Sequence, residues 1–155
     1  MNRIALVFAA GLALAAPALS NVAAPPPTVA DVAAETVTAF MENFNAGNVE
    51  GLASTYSDAG HFVWVENGRV ANASKADAIA DGIPKGARIE TDSSMQVVPV
   101  GQQAAEAIVP FTFYVKDDKG VEAEVFKGVM TLTVGQDPDG VFRIVAGHMS
   151  TVGRN

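Results

Sequence analysis

"FNAGNVEGLASTYSDAGHF", residues 44–62, holds two chain reversals within nineteen residues. Gly47 can adopt the left-handed backbone that ends a helix, and Asn48 directly after it can cap a new one. Leu52 and Tyr56, four apart, share one face of that second, shorter helix. "GHFVWVE", residues 60–66, then has strand composition, and Asn67-Gly68 is a strong hairpin signal ahead of Arg69-Val70. The stretch therefore reads helix, tight turn, short helix, strand.

Working outward toward the N-terminus, Val29, Ala33, Val37, Phe40 and Phe44 recur at three- and four-residue spacing, one apolar stripe of a longer helix. Thr28 and Asp31 have the spacing of an N-cap pair. In the other direction, Ser74 and Asp77 can cap a third helix that stops at Gly82. From about Arg88 the pattern turns to strands: "SMQVVPV" (94–100), "AAEAIVPFTFYV" (104–115), "VEAEVFKGVMTLTV" (121–134) and "GVFRIVAGHMS" (140–150). The links "GQQ", "KDDKG" and "GQDPDG" are short and turn-like, so these neighbours should pair antiparallel. Helices followed by a meander give an α+β fold, a curved, mostly antiparallel sheet wrapped around the N-terminal helices. Such an arrangement leaves a cone-shaped hollow between the layers.

The chain has 155 residues, 49% of them hydrophobic, enough for one domain with a real core. A formal net charge of −7 and the lack of any Lys/Arg cluster argue against nucleic acid or an anionic membrane as partner. With no cysteine and two histidines, disulfides are excluded and a structural zinc site is not expected. Residues 1–20, "MNRIALVFAAGLALAAPALS", have the layout of a secretory signal peptide: Arg3, an apolar run to Ala16, and small residues at Ala18 and Ser20. That run is shorter than the roughly 20 residues of a membrane span. Residues 21–27 are a proline-rich spacer, and 28–155 read as one domain. The expected protein is exported, periplasmic or extracellular, with no membrane attachment once the signal is cleaved.

The order of elements resembles the nuclear transport factor 2-like superfamily. "FNAGNVEGLASTYSDAGHF" is similar to its helix–turn–helix–strand opening. "DGVFRIVAGHMS" is similar to the closing strand of the SnoaL-like branch, which runs aromatic-x-Ile-x-x-x-His-x-Ser, here Phe142, Ile144, His148 and Ser150. The resemblance implies a cone-shaped, cystatin-like fold and the usual sheet-to-sheet homodimer. It does not choose a function, because the superfamily holds isomerases, cyclases, dehydratases and proteins with no chemistry. The opening is similar to that of ketosteroid isomerase, and that alignment puts Phe40 where the isomerase has an oxyanion-donor tyrosine. Trp64 falls at its general base and Gly128 near its second oxyanion acid. None of these residues can take the corresponding role, so the isomerase mechanism is not implied.

Strand parity sends Phe62 and Trp64 into the hollow and His61 to the outer face. Phe40, Phe44, Trp64, Phe113 and Met130 are the candidate ligand-binding residues, an aromatic pocket for a small apolar molecule. His148 shares parity with Phe142, Ile144 and Ala146, which predicts that it faces the helices, opposite Phe126 or Gly128. Glu124 would then be a diagonal neighbour at roughly 7–8 Å between backbones. His148 with Glu124 is the candidate acid–base pair. Glu122 is expected at the rim, and Tyr56 beside Asp58 at a turn. "NAS" at Asn72 matches a glycosylation acceptor. No phosphate-binding loop, dinucleotide fingerprint or nucleophile elbow is present, so no cofactor or metal is expected. Two readings follow: a small-molecule-binding or accessory protein, or a cofactor-independent hydro-lyase, isomerase or cyclase using His148 and Glu124. Val125, Val129, Thr131 and Thr133 leave the outer face apolar enough to be covered, and this partial failure of polar alternation also favours a homodimer.

Overall fold

A computed structural model describes residues 24–91 and 94–152. The segment expected to direct export, residues 1–20, lies outside the described residues, as do residues 21–23 of the spacer. The described elements are α1 (Val29–Asn45), α2 (Val49–Ser54), β1 (Val63–Glu66), β2 (Arg69–Asn72) and α3 (Lys75–Asp81), then β3 (Ala87–Thr91), β4 (Gln96–Pro99), β5 (Ala104–Lys116), β6 (Glu122–Gln136) and β7 (Phe142–Val152).

The helices begin and end where their caps dictate. At α1 the Asp31 amide donates to Thr28 Oγ1 and the Thr28 amide to Asp31 Oδ2, a reciprocal box. Its stripe of Ala33, Val37, Phe40 and Met41 is buried against the sheet. Gly47 ends the turn at φ 66°, and the Gly51 amide donates to Asn48 Oδ1 at 3.0 Å. A side chain at Gly51 would strike Asn43, so glycine there lets α2 fold back against α1. Among the described helices none is long and apolar enough to cross a membrane.

The sheet runs β2-β1-β7-β6-β5-β3, with β4 also on β5. Every pairing is antiparallel except β1 with β7, which is parallel. β5, β6 and β7 form the expected long meander. β3 is an addition to the sequence reading: "ARIET" is short and follows a Pro/Gly-rich turn. It pairs with the far end of β5 while β4 pairs with the near end, so the two are halves of one edge partner.

Two β-bulges overturn the expected placement of the acid–base pair. Val145 is the extra residue where β7 pairs with β6, since Thr133 faces Ala146 while Val134 faces Ile144. A bulge inverts the parity of everything beyond it. Ile144 points inward as expected, but beyond the bulge Gly147 and Met149 take the inner face and His148 the outer, exposed one. Pairing also continues to Gln136↔Phe142, which sets His148 opposite Thr131 rather than Phe126 or Gly128. Val125 is the second bulge, placing Glu124 opposite outward-facing Tyr114.

The turn between β6 and β7 is fastened from inside. Buried Asp137 accepts from Ser57 Oγ, from the Asp58 amide at 3.0 Å and from Arg143 Nη1 at 3.0 Å. The Ile144 amide donates to the Thr55 carbonyl and the Ser57 amide to that of Ile144, which locks the end of α2 to β7. Tyr56 is held between these two bonds.

Candidate functional site

The hollow between the helices and the concave sheet face is a cavity of about 320 Å³. That is at the lower end of the range for small-molecule sites. Its walls come from separate elements. Phe40 and Phe44, one turn apart on α1, have ring centroids 6.4 Å apart. Phe113 of β5 and Phe126 of β6 are directly paired across the sheet and stack at 4.9 Å with planes 6° apart. Phe40 lies 6.1 Å from both Trp64 and Tyr56, and Phe44 meets Phe113 edge-on at 6.3 Å. Met130 and Met149, paired across β6 and β7, fill the floor.

Trp64 owes its pose to a glycine. It pairs with Gly147 across the parallel β1–β7 step, and any side chain at position 147 would collide with the indole ring. The indole therefore lies directly on the backbone of β7.

Polar groups gather at one side. Trp64 Nε1 donates to Glu66 Oε1 at 2.9 Å. Asn72, across the hairpin from Trp64, donates from Nδ2 to Asp81 Oδ2 at 2.6 Å, joining β2 to the end of α3. Tyr56, 6% exposed, lines the cavity, and no group among the described residues hydrogen-bonds its hydroxyl. Burial pushes that phenol up to about 12, so it stays protonated at neutral pH. No Lys, Arg or His lines the cavity. No cluster of His, Cys, Asp or Glu among the described residues could hold a metal ion.

All five residues expected to contact a ligand, Phe40, Phe44, Trp64, Phe113 and Met130, line this one cavity. His148 and Glu124 do not. His148 Nε2 lies 3.3 Å from Ser150 Oγ on the outer face, and Glu124 lies 3.6 Å from Lys127 Nζ. Their cross-strand partners on β6 and β5 put them about 20 Å apart along the sheet. Glu122 pairs with Arg88 at 2.9 Å and does not line the cavity.

Sequence reasoning passed over Glu66 and Asp81 and read Tyr56 and Asn72 for other roles, yet all four line the cavity. Glu66 was within reach, because it shares strand parity with Phe62 and Trp64. Asn72 reaches the interior through a bulge at Ala71, and its buried amide bonded to Asp81 is unlike an exposed glycosylation acceptor. Tyr56 follows α2 on a segment whose direction is set by β7, and Asp81 by how α3 docks. Neither is a local matter.

Solved structures share this architecture. A candidate dehydratase of the NTF2-like family from Streptomyces avermitilis superposes with a TM-score of 0.66 at 19% identity, over 81% of this chain and 96% of its own. An uncharacterised protein with a cystatin-like fold from Caulobacter vibrioides gives 0.66 at 17%, over 81% and 90%. A ketosteroid isomerase-like protein from Erwinia carotovora gives 0.62 at 16%, over 81% and 97%. No protein-family model and no curated protein matches the chain. The fold is that of the nuclear transport factor 2-like superfamily.

Proposed function

We propose that the protein binds a small, flat, largely apolar molecule in this cavity. The observation that carries the reading is the convergence of Phe40, Phe44, Trp64, Phe113 and Phe126 on a space left open beside a short polar margin. A core built only for stability would close at crystal-like density. Binding is favoured over turnover through the expected pair because His148 and Glu124 face away from the cavity and lie far apart on the outer face.

Trp64 is the sole tryptophan, so its emission reports on the cavity alone. Titration with 2-naphthol should quench it saturably, and Ala78→Phe, which fills the lining at α3, should abolish the effect with the circular dichroism unchanged. Quenching that fails to saturate, or that survives the filled cavity, overturns the reading.

We also propose that the chain acts outside the cytoplasm as a homodimer joined through the outer sheet face. Support comes from the signal-like residues 1–20 and from the scarcity of charge between Glu106 and Lys127 on that face.

A further inference from the structure

We propose that the ligand carries a positive charge: the cavity selects an aromatic or alicyclic amine in its ammonium form. This rests on the cavity being a binding site and names the chemistry it prefers.

Glu66 and Asp81 both line the cavity, and each is held by a neutral donor, the Trp64 indole and the Asn72 amide. Each bond uses one carboxylate oxygen. Glu66 Oε2 and Asp81 Oδ1 have no partner among the described residues. Neither carboxylate makes an ion pair among the described residues, unlike Asp58, Glu90, Asp118, Glu122, Glu124, Asp137 and Asp139, which pair with a lysine or arginine. Arg69 lies across the hairpin from Glu66 but makes no ion pair with it. Two carboxylates thus face one cavity with no cation of the described chain to balance them.

Tyr56 points to the same occupant independently. Its side chain is largely buried, and its neutral hydroxyl meets the cavity with no hydrogen-bond partner among the described residues. The phenol oxygen can accept from an ammonium N–H. The remaining walls include the rings of Phe40, Phe44, Trp64 and Phe113, whose faces attract a cation through the ring quadrupole. An anion would be stripped of water here beside two like charges, with no basic group to receive it. The overall charge of −7 adds to the bias, drawing cations toward the mouth.

Three probes of one shape test this against the full chain at neutral pH and low salt: 1-naphthylmethylamine, 1-naphthalenemethanol and 1-naphthoate, followed through Trp64 emission and by calorimetry. The amine should bind about tenfold more tightly than the alcohol, and naphthoate should bind more weakly than either. Glu66→Gln and Asp81→Asn should each cost the amine roughly fivefold while leaving the alcohol unchanged, an effect confined to the charged probe. Alcohol binding equal to that of the amine, or tightest binding by naphthoate, overturns the charge selection and leaves the cavity reading standing. If none of the three binds, the cavity reading falls, and charge selection falls with it.

Discussion

Asp137 is the carboxylate on which the end of β6 depends. Burial alone would raise its pKa. The bonds from Ser57, the Asp58 amide and Arg143 outweigh that and hold the carboxyl below its usual value. The unfolded chain therefore takes up this proton at a higher pH than the folded one does. The stabilisation is complete above the unfolded carboxylate value, about 3.9, and is lost as pH falls through the lower folded value. Chemical denaturation as a function of pH should show this acid limb. In Asp137→Asn the limb should be shallower, and stability at pH 7 should drop by about 2 kcal/mol. An unchanged acid limb in the variant would remove Asp137 as its source. At this scale the apolar half of the cavity was legible: α1 periodicity selected Phe40 and Phe44, and strand alternation selected Trp64 and Phe113. The polar half was not, because Asn72 and Asp81 meet only through the docking of α3 on β2.

At the scale of elements, caps and turns announce themselves because each is chemistry between residues a few positions apart. The Thr28–Asp31 box, the Asn48 cap and the Asn67-Gly68 hairpin all form as the residues predict. Bulges give no such local sign. Val125 and Val145 are ordinary strand residues, yet each turns the alternation over and carries Glu124 and His148 to the outer face. Deletion of Val145 tests the point directly. The shortened strand alternates uniformly from Ile144, so Gly147 and Met149 should stay on the inner face and His148 on the outer one. The expected result is a cooperative thermal transition in near-ultraviolet circular dichroism, as in the parent. Loss of that transition would show that β7 cannot pair with β6 without the bulge.

For the whole molecule, the outer sheet face carries Ile108, Pro110, Val129, Thr131, Ala146 and Ser150 in adjacent register, with His148 among them. A face this short of charge is unusual for the solvent side of a single antiparallel sheet. Half-turn symmetry about its centre would bring the row of Glu106 toward that of Lys127 in a second copy, a self-complementary arrangement. Native mass spectrometry of protein recovered from its own host's exported fraction should give twice the mass of residues 21–155, and Thr131→Arg should yield a monomer. A monomeric parent would overturn the proposed assembly, and a retained Met1 the proposed export.

The parallel step between β1 and β7 joins Val63 to Ala146, 83 residues further along the chain. The wall bearing Trp64 and Glu66 therefore has nothing to lie on until the final strand is available, and the backbone of Gly147 that supports the indole belongs to that strand. During synthesis, a chain stopped before residue 142 has its helices and most of its sheet, yet β1 and β2 form a hairpin with no neighbour. An isolated two-stranded hairpin is marginal in water. Closing so long a loop is also a slow step in folding. The cavity proposed to hold a ligand is thus completed late and all at once, when β7 pairs.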